Sequence, residues 1–277
     1  MNSRTWIVLT SILLAAIPAS AQQRPLVTED PETVGINHVL VEAGVEFDRD
    51  QFYPATGLTG DTTHIAVTGV SVGIGPSAEL QVDGGFYQRL TVTRRVLTPL
   101  SGTLIFVGDT TSSLEDLTVA TKLRIVQESD QHPGFGVRIG TKLPLADRKQ
   151  GIGLGTTDFF ASLLAAKTVR SVRTVGNVSM LVLGNPIVAQ DSRPAVGFGV
   201  SVARAVTNEL EAVGEINGHF GPIGDTPSIG LSSRGVLRFA ARYTQGLLRF
   251  DGGLLIGLTS RDPAFGITAG ATYVFGK

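Results

Sequence analysis

Apolar and polar residues alternate along most of this chain, and a period of two predicts strands with one apolar and one polar face. Residues 38–48 show the pattern clearly: one face carries Val39, Val41, Ala43, Val45 and Phe47, and the other carries Leu40, Glu42, Gly44, Glu46 and Asp48. Similar segments span residues 79–90, 117–125, 135–143, 209–220, 237–243, 248–256 and 265–275, and weaker ones span residues 64–73, 158–169, 172–183 and 195–206. We therefore expect about 12 strands of roughly 9 to 13 residues, the length that a tilted strand needs to cross a bilayer.

The apolar residues are spread along the chain instead of being concentrated in long runs. The mean hydropathy is +0.21 and the chain contains 34 glycines. Beyond the first 21 residues, no apolar run approaches the ~18 residues of a membrane-spanning helix. This distribution favours an all-β, antiparallel, up-and-down transmembrane barrel. A soluble periplasmic β-sandwich is the alternative.

The first residues resemble an export signal. Arg4 precedes the apolar segment Trp6–Ile17, and Ala19-Ser20-Ala21 has the small-residue pattern of a cleavage site, so we expect maturation at or near Gln22. The expected organisation is a signal peptide over residues 1–21, a periplasmic N-terminal segment over residues 22–37 and an outer-membrane barrel over residues 38–277. The chain has no cysteine, so no disulfide contributes to its stability.

The segments between the predicted strands alternate in length. Short ones lie at residues 75–77, 130–133, 170–171, 207–208 and 244–246, and longer ones at residues 49–61, 91–115, 144–156, 184–194 and 221–232. Short periplasmic turns and longer outer loops are typical of outer-membrane barrels. Residues 96–107 and 159–166 are apolar on both faces, so the period alone leaves a strand, a helix or a lumenal segment open for them.

Closure of the barrel would place the polar faces in the lumen. One strand position, Arg89, falls with Glu79, Gln81 and Asp83 on the polar face of its strand. The predicted lumen-lining residues are the acidic set Glu42, Glu46, Asp83, Glu211 and Glu215, the basic set Lys122, Arg124, Arg138, Lys142, Arg238, Arg242 and Arg249, and His219. Such a lumen is either an open or gated solute path lined by opposed charges, or a closed interior in which salt bridges satisfy these charges.

Enzymatic chemistry has little support in the sequence. His219 shares a face with Glu215 and Asn217, but no serine lies beside it on that strand, so a barrel lipid hydrolase is a weak alternative. The four histidines do not have metal-ligand spacing, and we expect no metal or cofactor. A net charge of −1 argues against a nucleic-acid partner. The expected partners are outer-membrane lipid, the barrel-insertion machinery and a small-molecule solute.

Several short motifs resemble one family of outer-membrane proteins. These are Arg24–Thr33 (RPLVTEDPET), Leu117–Lys122 (LTVATK), the turn proline Pro133, Lys142–Asp147 (KLPLAD), Gly153–Asp158 (GLGTTD) and the closing Gly270–Phe275 (GATYVF). Together they resemble the transporter-like family labelled "MetA-pathway of phenol degradation". The resemblance implies an outer-membrane barrel that takes up small aromatic or hydrophobic compounds, and it implies no catalytic residues. A barrel with a structural or surface-interaction role and no transport is the alternative function.

Overall fold

The computed structural model describes residues 24–188, 191–221 and 231–276. The expected signal peptide and its cleavage site lie outside these residues, as do parts of the predicted loops 184–194 and 221–232.

Almost all regular structure in the described residues is β-strand. The strands are β1 (Val39–Tyr53), β2 (Leu58–Gly75), β3 (Ala78–Arg95), β4 (Thr110–Ser113), β5 (Leu117–Val126), β6 (Gly134–Leu143), β7 (Asp158–Val169), β8 (Val172–Gly184), β9 (Ser192–Ala205), β10 (Leu210–Phe220), β11 (Arg234–Gln245), β12 (Leu248–Gly257) and β13 (Phe265–Phe275). Two single turns of 3₁₀ helix span Ser101–Thr103 and Arg148–Gln150. None of the helices in the described ranges is long and apolar enough to cross a membrane.

The strands close into an antiparallel barrel. Each strand except β4 pairs with a neighbour on both sides, and β1 pairs with β13 from Val39↔Phe275 to Arg49↔Phe265 to close the cylinder. Twelve strands form the wall, as predicted, and β4 is an additional short strand. It continues the line of β5 along β3, because Gln88↔Ser113 and Asp83↔Thr118 lie in the same register. Residues 114–116 therefore interrupt what would otherwise be one strand.

The two faces of the wall are sorted as the alternation predicts. Apolar side chains such as Val45, Leu123, Ile139, Leu163 and Ile267 are exposed on the outside. The inner side carries buried polar and charged residues, among them Glu42, Glu79, Lys122 and Thr272. In a bilayer all strand N–H and C=O groups must pair, and closure meets that requirement while the apolar outer surface contacts lipid. The protein is therefore an outer-membrane barrel.

The two ends of the barrel differ as predicted. Short turns join β2 to β3, β7 to β8 and β11 to β12 at the end where β1 begins and β13 ends. Longer connections lie at the opposite, outer end. One expectation is wrong: residues 49–61 are not a long loop, because β1 and β2 extend to Tyr53 and from Leu58 and leave a connection of four residues.

Residues 159–166 and 96–107, which the period left open, take different structures. The first segment belongs to β7, with Leu164 buried and Leu163 exposed. The second follows β3 and is irregular apart from the 3₁₀ turn Ser101–Thr103. Leu104 and Phe106 of this connection pack against a buried cluster of Leu58, Leu90, Val92 and Ile152. The connection and residues 144–152 thus pack on the inner face of the extended hairpin at the outer mouth.

A bulge at Ala66 corrects the placement of one charged residue. Ala66 has a positive φ of 53°, and β1 shifts register against β2 at this point. On the paired strand β3, the inward positions change from Asp83 to Gln88 and Leu90. An unbroken alternation would place Arg89 on the lumenal side. The bulge turns it to the other side of the wall, where it is exposed.

Candidate functional site in the barrel lumen

An N-terminal segment, defined here as residues 24–35, lies inside the barrel against the wall. It enters beside β2, where the Gly35 carbonyl approaches Gly73 so closely that a Cβ at Gly73 would overlap it. The Val34 N–H then donates to Glu79 of β3 at 2.7 Å. At the other end of the segment, the Arg24 guanidinium donates to Thr268 of β13 at 3.1 Å. The segment finds charged partners on the inner wall, and the expected organisation with a periplasmic segment over residues 22–37 stays a prediction.

Glu29 of the segment contacts two cations of the wall. Its Oε2 lies 3.3 Å from Nζ of Lys122, and its Oε1 lies 3.0 Å from Nε of Arg138. Lys122 also pairs with Glu79 at 2.9 Å, and both of these side chains are 0% exposed. The N-terminal segment therefore shields this pair of wall charges from solvent.

Two further carboxylates of the segment pair with arginines at the periplasmic side. Asp30 forms a bidentate pair with Arg173 of β8, with its oxygens 2.5 and 2.7 Å from Nε and Nη2. Glu32 pairs with Nη1 of Arg124 at 2.5 Å. Bidentate pairs between arginine and carboxylate are among the stronger polar contacts in proteins. The acidic residues of the segment are thus held on β5, β6 and β8.

The opposite wall binds the backbone of the segment. Glu215 of β10 accepts hydrogen bonds from the N–H groups of Val27 (2.8 Å) and Thr28 (2.6 Å). Thr28 lies so close to β9 that a Cβ at Gly199 would be 2.6 Å from its Oγ1, which explains the glycine there. Arg242 of β11 donates to the Arg24 carbonyl at 2.9 Å. The segment therefore contacts most of the circumference.

Within the described residues, the structure shows polar contacts for each predicted lumen-lining residue except Glu46. Glu215 pairs with Arg238 at 3.3 Å and Glu211 with Arg242 at 3.1 Å. The remaining contacts are Glu42 with Thr272, Asp83 with Arg138, Lys142 with Asp116 and Asp158, and Arg249 with Thr244. That these residues line a solute path stays a prediction. His219 Nε2 contacts the backbone oxygen of Ser232 at 3.1 Å and not a hydroxyl group.

Several lumenal residues are absent from the predicted set. Arg173 falls on the inner face of β8, and its position could have been inferred from alternation with Asn177 and Ser179. His64 lies between Asp48 (3.5 Å) and Glu115 (2.7 Å). Glu115 belongs to the interruption between β4 and β5, so alternation carries no signal for it. No group of three or more potential metal ligands occurs in residues 24–188, 191–221 and 231–276.

Glu128, in the turn between β5 and β6, fixes Arg173 from the periplasmic side. Its carboxylate accepts hydrogen bonds from the Thr168 N–H at 2.5 Å and from Arg173 Nη1 at 2.7 Å. Partial burial opposes ionisation, but these hydrogen bonds and the positive charge of Arg173 outweigh it. The pKa of Glu128 is therefore lowered from its ordinary value of 4.5.

A cavity of about 420 Å³ lies between the N-terminal segment and the outer half of the wall. Residues 24–27 and Glu29 form one side of it, and Glu115, Asp116 and Thr118 reach it from the interruption before β5. Phe160 of β7 also lines it, with the Arg138 guanidinium 4.9 Å from the ring centroid. The lumen thus contains buried ion pairs under the segment and, beside them, a partly open space of the size of a small solute.

Comparison with known protein families and with characterised proteins finds no match for this chain. Among solved structures it is similar to the NanC porin, with a TM-score of 0.50 and 8% identity over 86% of this chain and 99% of that chain. The fold is that of an outer-membrane β-barrel. Weaker similarities include OmpT with loop L8 deleted, from Vibrio cholerae (TM-score 0.41, 10% identity, 86% and 98% covered), and OccAB3 of Acinetobacter baumannii (0.40, 9%, 86% and 98%). The resemblance to the phenol-degradation family stays a prediction.

Proposed function

We propose that this barrel is an outer-membrane channel for small solutes, and that the N-terminal segment closes it at rest. The observation that supports the proposal is the way the lumen is filled. A segment of the chain occupies it through hydrogen bonds and ion pairs, and its covalent connection to the wall is at the start of β1. Small barrels fill their interior with wall side chains, whereas wider ones leave room for a ligand or a channel. Displacing the segment would open this wider bore.

The chemistry of the wall favours polar or charged solutes. Among the described residues, the cavity is lined by six carboxylates and three guanidinium groups, and Phe160 is the one aromatic side chain. Aromatic or hydrophobic compounds, which the family resemblance suggests, would have to pass this ionic surface. We therefore propose that polar solutes pass in preference, and that insertion machinery assembles the barrel in the outer membrane, as the sequence suggests.

A barrel with a structural role and no transport is the second candidate. The complete burial of the Lys122–Glu79 pair favours this role, because a buried ion pair can belong to a permanent interior core as well as to a gate. Conductance in planar bilayers distinguishes the two functions. We expect rare openings for the full mature chain and frequent openings for a variant lacking residues 24–34.

The control replaces residues 24–34 by a glycine–serine segment of equal length, which retains the chain but loses the carboxylates; it too should conduct. Faster migration of unboiled samples on gels establishes that each variant is a folded barrel. A folded deletion variant that never conducts would contradict the channel and support the structural role.

A further inference from the structure

The cavity beside the N-terminal segment has an excess of acidic groups in its wall. Its six carboxylates belong to Glu29, Glu42, Glu46, Asp83, Glu115 and Asp116, and its three guanidinium groups belong to Arg24, Arg138 and Arg238. A carboxylate that has lost part of its hydration needs a hydrogen-bond donor or a cation to compensate. The contacts of each carboxylate therefore show where a ligand is needed.

Five of the six carboxylates have a partner in the described residues. Glu29 and Asp83 share Arg138, at 3.0 and 2.9 Å. The others are Glu42 with the Arg24 N–H (3.2 Å) and Thr272 (3.1 Å), Glu115 with His64 (2.7 Å), and Asp116 with Lys142 (3.2 Å). Among the six carboxylates, only one is left without such a contact in the described residues.

Glu46 is that carboxylate. It lies on β1 opposite Thr268 of β13 and His64 of β2, and neither contacts its carboxylate: Thr268 donates to the Val45 carbonyl and His64 lies between Asp48 and Glu115. The nearby Arg238 is paired with Glu215 at 3.3 Å. Within the described part of the chain, Glu46 has no hydrogen bond or ion pair. Its side chain is half-buried and lines the cavity, so a solute inside can contact it.

We propose that this cavity binds a small organic cation whose ammonium group pairs with the carboxylate of Glu46. The inference rests on the proposed channel function, and it names the class of solute. A metal ion fits less well, because no three ligating side chains converge in the described residues. Val67 and Phe160 give the wall apolar surface for the carbon chain of such a solute. At ~30 Å³ per water molecule, the volume corresponds to roughly a dozen waters, which is sufficient for a short aliphatic amine.

Ethylammonium binding to the purified, detergent-solubilised protein tests the site. Saturation-transfer NMR should show binding of ethylammonium, and acetate and ethanol of similar size should bind at least tenfold more weakly. Glu46→Gln should weaken ethylammonium binding at least tenfold. Glu209→Gln is the matched control, since Glu209 is exposed in the turn before β10, and it should leave the affinity unchanged.

The outcomes separate this proposal from the channel function. Equal binding by Glu46→Gln and the parent protein, or equal binding of acetate, overturns the cation site. If Glu46→Gln does not fold, Glu46→Asp replaces it and should bind severalfold more weakly, because its carboxylate is withdrawn from the cavity. Binding through Glu46 in a protein that never conducts would refute the channel and retain the site. Conduction without ethylammonium binding would refute the site and retain the channel.

Discussion

Replacing Asp30 by asparagine should loosen the N-terminal segment without altering the wall. Asp30 and Arg173 form two hydrogen bonds of 2.5 and 2.7 Å, and their side chains are 11% and 20% exposed. Hydrogen bonds to charged groups contribute ~1.5–3 kcal/mol, and the partial exposure favours the lower part of this range. A loss of about 2 kcal/mol shifts the equilibrium between bound and released segment by roughly 30-fold. Arg173 retains Glu128, so the wall itself remains paired.

A thiol introduced at Thr28 measures this equilibrium directly, because the chain has no cysteine of its own. Thr28 is buried in the bound segment and becomes accessible on release. When release and rebinding are fast, the rate of maleimide labelling is proportional to the released fraction. We expect about 30-fold faster labelling of Thr28→Cys in the Asp30→Asn background, accompanied by more frequent channel openings.

Asp130→Asn in the same Thr28→Cys background is the control. Asp130 lies in the turn between β5 and β6 at the same end of the barrel, and its side chain is exposed. It should label at the rate of the parent protein. Equal labelling rates for Asp30→Asn and the parent would show that the ion pair does not hold the segment, and would refute the gating argument.

Three further results are expected. The pair Thr28→Cys and Gly199→Cys should form a disulfide, since a Cβ at Gly199 would lie 3.4 Å from the Cβ of Thr28, near the ~3.5–4.5 Å between the Cβ atoms of disulfides. The oxidised channel should stay shut, and a reductant should restore its openings. Glu128→Gln should lower the melting temperature at pH 6, and because the folded pKa of Glu128 is lowered, this difference should shrink as pH falls below 4.5; a constant difference would contradict the charge argument. Leu90→Ala, at a fully buried site, should destabilise the cluster of Leu58, Leu90, Val92 and Ile152 by ~2–5 kcal/mol and speed proteolysis at residues 96–109. The barrel should still migrate as folded on gels, and an unchanged rate of proteolysis would argue against a stabilising role of the cluster.

The membrane-spanning part of the fold follows from the sequence because the bilayer imposes one rule on every strand. The predicted segment 158–169 coincides with β7 (Asp158–Val169), and residues 265–275 coincide with β13. A shift of one residue would turn Leu163 inward and Ser162 toward lipid, so the register is strongly determined. The alternation therefore locates these strands even where, as in β7, apolar residues face both sides.

The rule fails where lipid no longer contacts the strand. Residues 49–61 continue β1 and β2 beyond the other strands, and their charged and glycine residues resemble a loop. Asp50 has a positive φ of 54°, and the pairing shifts register between Asp48 and Gln51. Bulges of this kind interrupt the period of two while the hydrogen-bonded ladder continues. The hairpin therefore has no signal in the alternation.

The wall charges of the candidate site are predictable from the sequence, but the N-terminal residues that contact them are not. Alternation assigns Lys122, Arg138 and Glu215 to the lumen, because a charge on the opposite face would meet lipid. It does not say what those charges contact. Glu29 and Asp30 lie outside any strand, so their place among the wall cations depends on a chain path that no local pattern encodes.

The number of ion pairs holding the segment does not make its docking irreversible. Each pair has lost hydration on both sides, and in a protein interior the attraction between the charges often only compensates for that loss. The apolar contribution comes from few residues: Leu26 joins a buried cluster with Ala203 and Val213, and Pro25 and Pro31 are buried as well. Burying one leucine contributes ~1.5–3 kcal/mol. On release, water entering the bore would hydrate the wall and the segment together. Ionic contacts can thus fix the path of the segment along the wall while adding little to the free energy of its binding. A gate requires this combination, because the segment must bind at one place and still be released, whereas a permanent core does not.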